Sequence, residues 1–322
     1  MNKSSFYKKI SERLTAGDTL MLSIVVETHG SSPGRAGFAM ALGKEGRSFG
    51  SIGGGVMEQK IIMNLKSHLK GDVFTPYYQH LIHSPEAIKN STGMLCNGDQ
   101  GIIVLKINKK DEQVFQTISE TFENHTSIEM SINSEGEIRI AGTPPERVIT
   151  HFDKNMEQWE YREKIGAIHS VYIIGGGHVG LALSKLLNGL DFYCIVMDNR
   201  ADLNLLQENV YAHEKRIVDY KDIQKEIPKE GNNKCIIIMT HNHGGDEGVL
   251  TQLIDHEAMY FGMMGSLSKV AEISKNLLVK GITKMQLDRV HAPIGLPIGS
   301  ETPEEIAVSI AAEIIQTMKV PL

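Results

Sequence analysis

Cysteine is scarce: three in 322 residues, Cys96, Cys194 and Cys235, too few for a disulfide-built scaffold and in keeping with a reducing cytoplasm. Cys194 and Cys235 lie inside apolar runs (FYCIVMD and CIIIMT) and read as small buried hydrophobes. Cys96 sits instead in the turn-rich segment Met94-Leu95-Cys96-Asn97-Gly98-Asp99, which can expose a thiol. No apolar run reaches the roughly 18 residues of a membrane span, so no membrane association is expected. The opening stretch MNKSSFYKKISERL lacks the apolar core of a signal peptide and reads as an amphipathic helix. A surplus of positive charge is also missing. The chain has 33 basic and 39 acidic residues, a formal charge of -6, which argues against a general nucleic-acid binder. Ser-His-Asp, CxxC and HExxH templates find no match, and neither an internal repeat nor a low-complexity segment is visible.

What is present is a buried strand that stops at glycines and restarts as a helix. In Val171-Tyr172-Ile173-Ile174-Gly175-Gly176-Gly177-His178-Val179-Gly180, Gly175, Gly177 and Gly180 fall at G-x-G-x-x-G spacing, and residues 179–190 then carry helical periodicity. Such a turn needs glycine where the backbone bends, where it approaches a ligand, and where the helix packs on the strand. The amides at the helix start attract an anion. A second apolar strand, 192–197, ends at Asp198, about twenty residues past the glycines, where a ribose-binding carboxylate belongs. That carboxylate favours NAD over NADP, and Arg200, two residues on, softens the preference.

Two halves with different rhythms follow, with a boundary placed near Ile165: 1–165 as an α+β domain and 166–322 as a Rossmann-like domain. The first half reads mostly as strands (20–28, 38–42, 101–107, 127–132, 137–140) with helices at 56–69 and 113–124. Residues 148–168 look mixed and polar. In the second half strand and helix alternate (171–174, 179–190, 192–198, 235–240, 248–256, 258–261, 266–280), which predicts a doubly wound parallel sheet, an α/β fold. A long helix over 303–318 has Thr302 as its cap, Pro303 in its first turn, and Glu304 and Glu305 matching the dipole.

Further segments can carry chemistry. Glu27-Thr28-His29-Gly30-Ser31-Ser32-Pro33-Gly34-Arg35 and Gly50-Ser51-Ile52-Gly53-Gly54-Gly55-Val56-Met57-Glu58 each adjoin a strand end. Together they form either a nest of amides for an oxyanion or simply tight turns. Thr240-His241-Asn242-His243-Gly244-Gly245-Asp246 follows a strand, and its His-x-His-x-x-Asp spacing invites either metal binding or a polar crevice lining. Gly262-Met263-Met264-Gly265-Ser266 repeats the amide-donor turn, and the loop 291–299 either closes the crevice or merely turns the chain.

Taken together, these segments resemble the XdhC/CoxI family of accessory proteins for molybdenum-containing hydroxylases. The resemblance covers nearly the whole chain. It rests on Thr28-His29-Gly30-Ser31-Ser32-Pro33, Gly50 to Gly55 with Glu58, the GGGHVG turn, Asp198-Asn199-Arg200, Thr240-His241 with Asp246, Gly262 to Ser266, and Pro293-Ile294-Gly295-Leu296 running into Thr302-Pro303-Glu304-Glu305. Members often carry Cys-Gly-Gly where this chain has Cys96-Asn97-Gly98, and Gly-Ala-Gly where it has three glycines. The resemblance implies an N-terminal XdhC/CoxI-type domain followed by a Rossmann domain. It also implies a cytoplasmic homodimer, a cofactor-insertion chaperone rather than a catalyst. Such a protein holds the molybdenum cofactor transiently, protects it during sulfuration by a cysteine desulfurase, and delivers it to apo-xanthine dehydrogenase or a related enzyme of purine catabolism. On that reading Gly53, Gly54, Gly55 and Glu58, or Gly175, Gly177, His178 and Gly180, with Asp198, Arg200, Gly265 and Ser266, hold the cofactor. Cys96 handles sulfur or metal if its thiol is exposed and acidic. The alternative is an NAD(P)-dependent oxidoreductase in which Gly175, Gly177, Gly180 and Asp198 hold the dinucleotide and His241 acts as acid or base.

Overall fold

A computed structural model describes residues 1–69, 71, 73–82, 98–124, 126–142, 150–166, 169–241 and 243–319. The chain divides into two compact units, Met1–Gly166 and Ala167–Leu322.

The first unit is α+β. Helix α1 (Lys3–Thr15) is capped by the Asn2 side chain and turns Phe6, Tyr7, Ile10 and Leu14 inward. Strands β1 (Leu20–Gly30), β2 (Ala39–Gly43) and β3 (Ser48–Gly50) lead into helix α2 (Gly55–His68). Strands β4 (Tyr77–Ile82) and β5 (Gly98–Ile107) complete an antiparallel sheet in the order β3-β2-β1-β5-β4. After helix α3 (Glu112–Glu123), strands β6 (Ser127–Asn133), β7 (Ile138–Ala141), β8 (Thr150–Asn155) and β9 (Gln158–Gly166) form a second sheet in the order β7-β6-β9-β8. Residues 20–26 of β1 are buried on both faces, so the stretch reads as an apolar run interrupted only by buried Ser23. Its Leu20, Leu22 and Ile24 meet α1 and α3, and its Met21 and Val25 meet Met57, Ile61 and Leu65 of α2.

The β8–β9 hairpin replaces what the sequence shows as a mixed polar stretch. In β9 the alternating residues Trp159, Tyr161 and Ile165 are buried, and so is Glu163 between them. Glu163 is paired with Lys3 and accepts from the Tyr7 hydroxyl at 3.5 Å. A charge at an inward position breaks the apolar alternation by which a strand is recognised.

The second unit is a doubly wound α/β domain. Strands β10 (Ser170–Ile174), β11 (Tyr193–Asp198), β12 (Glu214–Ile217), β13 (Lys234–Ile238) and β14 (Tyr260–Met263) are all parallel, in the order β12-β11-β10-β13-β14. Helices α4 (His178–Asn188) and α9 (Pro303–Lys319) cover one face, where Leu183, Leu187, Ile310 and Ile314 pack on Val171, Ile173, Cys194 and Cys235. The short helix α5 (Asn204–Gln207) adds Leu206 to that face. Helices α6 (His243–Leu253) and α7 (Leu267–Val279) cover the other, over Tyr172, Ile174, Ile236 and Ile238. A last short helix, α8 (Lys284–Leu287), precedes the loop to α9. Helix α6 starts at His243, five positions earlier than its periodicity suggests, so Asp246 falls in its first turn. Both Cys194 and Cys235 are fully buried, and burial pushes the Cys194 thiol up to about 12.

Candidate functional site

Ile174 pairs with Met197 on one side and with Ile238 on the other, and Ile238 pairs with Met263, so the parallel strands end nearly level. Their carboxyl ends place Gly175, Asp198, Thr240 and Gly265 along one edge. The chain runs from β10 outward through β11 and β12, then returns to the far side of β10 as β13. The switch point therefore lies between β10 and β13, where open α/β sheets bind ligands.

The three glycines of the fingerprint have three different surroundings. Gly175 has φ +131°, and a Cβ there would stand 2.1 Å from the Met239 carbonyl oxygen. At Gly180 a Cβ would stand 2.2 Å from the Gly175 carbonyl oxygen, so this glycine lets α4 pack against the turn. Gly177 has no neighbour within 4 Å of a built Cβ, and it caps α4 with no side-chain hydrogen bond. These are the turn, packing and ligand-approach positions of a dinucleotide-type loop. His178, exposed, is the first residue of α4.

Asp198 is fully buried and fully engaged. Its Oδ2 accepts from the Gly176 amide (2.8 Å) and Arg200 Nη2 (2.8 Å), and its Oδ1 accepts from the Arg200 amide (3.0 Å) and Nε (2.8 Å). Burial pushes this carboxyl up, but the hydrogen bonds from Arg200 and Gly176 and the guanidinium charge together hold it below the usual carboxylate range. A carboxylate offers about four lone-pair sites. All four are taken, so in this arrangement none is left for a ribose hydroxyl.

At the end of β13 a second buried carboxylate holds a second cation. Asp246 Oδ1 accepts from the Thr240 amide (2.9 Å) and hydroxyl (2.6 Å), and its Oδ2 pairs with Lys269, whose side chain is 14% exposed. Lys269 reaches across from the first turn of α7, and a Cβ on Gly265 would lie 3.0 Å from its Cδ. Ser266 caps α7 by accepting from the Lys269 amide at 3.3 Å. His241 is exposed beside this cluster in sequence. Among the described residues no group of His, Cys, Asp and Glu is arranged to hold a metal ion.

The loop 291–299 is tied to α9 at His291 and Gly295. Glu313 of α9 accepts from the Gly295 amide (2.7 Å) and the Tyr260 hydroxyl (2.5 Å), and it shares a hydrogen bond with His291 Nδ1 (2.9 Å).

In the first unit the two glycine-rich loops touch each other. A Cβ on Gly53 would lie 2.9 Å from the Gly34 amide nitrogen, and one on Gly34 would lie 2.6 Å from the Ile52 carbonyl oxygen. Buried Gln100 joins them: it accepts from the Ser32 hydroxyl (2.8 Å) and the Gly34 amide (3.2 Å) and donates to the Ile52 carbonyl (3.0 Å). Gly53, Gly54 and Gly55 all have positive φ. The nest they help to build is filled by the chain itself. Glu58 Oε2 accepts from Ser51 Oγ (2.7 Å), the Ile52 amide (2.9 Å) and the Gly54 amide (3.0 Å). Nearby, Asp99 Oδ1 bonds both His29 Nδ1 and His80 Nε2 at 2.9 Å, and the hydrogen bond and charge of Asp99 raise the His29 pKa. Cys96 lies outside the described residues. A cleft of about 1190 Å³ lined by Lys44, Lys66 and Lys106 includes Thr19 and Asn108, and so lies at the opposite end of β1 and β5 from these loops.

Gly175, Gly177, His178, Gly180, Asp198 and Arg200 thus belong to one strand edge, with Gly265 and Ser266 further along it, whereas Gly53, Gly54, Gly55 and Glu58 form a separate cluster in the first unit. Sequence reasoning missed Lys269 and Gln100. Lys269 is three residues past the Ser266 cap, and Gln100 is a lone amide at the head of an apolar strand. Neither spacing carries a signal, because their partners Asp246 and Ile52 come from other elements.

Residues 13–72 match the family described as "XdhC and CoxI family", and residues 171–314 match "XdhC Rossmann domain". Over 98% of both chains, the protein is 22% identical to a probable xanthine dehydrogenase subunit of Bacillus subtilis. It is also 32% identical, over 45% of this chain and 26% of the relative, to the uncharacterized protein YqeB of Escherichia coli. A solved structure described as a xanthine dehydrogenase from Bacillus halodurans shares the fold, with TM-score 0.76 at 21% identity over 99% of this chain and 96% of that one.

Proposed function

From a chain that belongs to the XdhC and CoxI family, we infer an accessory protein that matures a molybdenum hydroxylase of the xanthine dehydrogenase type. The observation that carries this reading is that both family domains occur in one chain and in order, one in each compact unit. The full-length likeness to a relative named for xanthine dehydrogenase points to the same client class.

On this proposal the protein binds the molybdenum cofactor transiently, supports its sulfuration together with a cysteine desulfurase, and inserts it into the apo-enzyme, working as a cytoplasmic homodimer. The cofactor supplies a phosphate, a pterin and a dithiolene-held metal; the chain's task is to hold and shield them. The open Gly177 and the uncapped start of α4 suit the phosphate better than the first-unit loop does, because Glu58 already occupies the amides of Ile52 and Gly54. Replacing Cys96 with Ser tests whether its thiol takes part. Reduced molybdopterin binding and reduced activation of the client are expected, and full retention of both rejects that role.

A second reading has its own observation. The separate turn, approach and packing roles of Gly175, Gly177 and Gly180 are those of a nicotinamide-dinucleotide loop, so the same crevice suits NAD(P), alone or as part of an oxidoreductase using His241. Isothermal titration with both dinucleotides separates the readings. Heat from either places a dinucleotide in this protein, and its absence at millimolar ligand removes the second reading.

A further inference from the structure

We propose that Arg200 makes the ribose end of the Rossmann crevice a phosphate-monoester subsite, so that the domain takes a 2′-phosphorylated dinucleotide in preference to one with a free 2′-hydroxyl. The inference rests on the dinucleotide reading of that crevice.

A carboxylate at the end of the second strand ordinarily selects NAD by accepting from the ribose hydroxyl and repelling a 2′-phosphate. Asp198 stands at that position but is 0% exposed and already accepts four hydrogen bonds, three of them from Arg200. To receive a ribose hydroxyl it would have to release the guanidinium that neutralises it. The residue that meets the crevice is therefore Arg200, whose side chain is 36% exposed. Among the described residues its guanidinium bonds Asp198, through Nε and Nη2. Both N–H groups of Nη1 and one of Nη2 remain, a planar edge that matches two oxygens of a phosphate. Asp198 also fixes that edge in place, since it holds the Arg200 amide together with the side chain. Asp202 acts on Arg200 only through its charge, so it does not occupy the donor edge.

The glycine turn sits beside this edge, because the Gly176 amide and Arg200 Nη2 meet on the same Asp198 oxygen. A dinucleotide with its pyrophosphate at Gly177 would bring its adenosine ribose to Arg200. Sequence alone weighs Asp198 as the selector and Arg200 as a correction; the geometry reverses the two.

The test is calorimetric titration of the purified full-length protein with NADP+ and NAD+ in parallel. NADP+ is expected to bind at least about 10-fold more tightly, the scale of one charge-assisted interaction. Arg200→Ala is expected to weaken NADP+ binding by about 10-fold or more and to narrow the preference for NADP+ over NAD+; Arg200→Lys, which keeps the charge but not the fork, should fall between. A thermal melt of each variant shows whether it is folded, and the wild-type comparison needs no variant. Equal or tighter binding of NAD+ by the wild type, or NADP+ affinity unmoved in folded Arg200→Ala, overturns the proposal. Binding of neither dinucleotide overturns the dinucleotide reading, and the proposal with it, and is told apart by the absence of heat in both titrations.

Discussion

Within six residues, three glycines do separate jobs, and substitution should separate them. Gly175→Ala puts a methyl 2.1 Å from a carbonyl oxygen at φ +131°, and Gly180→Ala puts one 2.2 Å from another. Each should destabilise the second unit by about 3 kcal/mol or more, read as a lowered midpoint in urea. Gly177→Ala meets nothing within 4 Å and should stay within about 0.5 kcal/mol of wild type, while losing phosphate-bearing ligands that need its backbone bare. A Gly177→Ala variant that unfolds as readily as the other two would contradict this division. Thiol chemistry offers another residue-scale check. Cys194 and Cys235 are buried, and burial raises both thiols far above the range where thiolate forms. Neither should react with iodoacetamide at about pH 8 until denaturant is added, as mapped by mass spectrometry of the alkylated peptides.

Elements are joined here by carboxylates that the local sequence does not announce. Glu313 ties α9 to the start of β14 and to the 291–299 loop through Tyr260, His291 and Gly295. Burial pushes its pKa up, but those hydrogen bonds outweigh it and hold the group below its ordinary value. Since the folded state binds the proton less readily than the unfolded state, the stabilisation is complete above the unfolded pKa, near 4.5, and is lost as pH falls through the lower folded value. Glu313→Gln should therefore destabilise at about pH 7 by about 1–2 kcal/mol and lower Tm less at about pH 4, which melts at the two pH values will show. Equal losses at both would contradict the linkage. Helix α1 is tied to Glu163 of β9 through Lys3 and the Tyr7 hydroxyl. Lys3→Ala leaves that buried carboxylate without its cation and should cost about 2–4 kcal/mol, measurable by denaturant unfolding.

Seen across the whole molecule, what the sequence disclosed followed from local physics. The apolar runs of β10, β11 and β13, the glycine turn and the cap of α9 each lie within a few residues of one another, so the Rossmann unit is legible in the chain alone. The hairpin β8–β9 is not, because Glu163 and Lys164 occupy buried positions and break the alternation. The candidate site is half legible: the residue types at the strand ends are visible, but not that Asp198 is saturated by Arg200, that Asp246 holds Lys269, or that Glu58 fills its own nest. Those facts depend on side chains folding back on the backbone, which spacing does not encode. Each unit has its own core, so residues 167–322 expressed alone should show a cooperative thermal transition by circular dichroism, and a featureless melt would contradict that independence.

A maturation role can be checked by mixing the purified protein with molybdopterin, removing unbound cofactor on a desalting column, and adding apo-xanthine dehydrogenase. Molybdopterin is expected to stay with the protein, and the client to gain hydroxylase activity above the level reached with free cofactor. Molybdopterin lost on the column, with activation no greater than free cofactor gives, would contradict it.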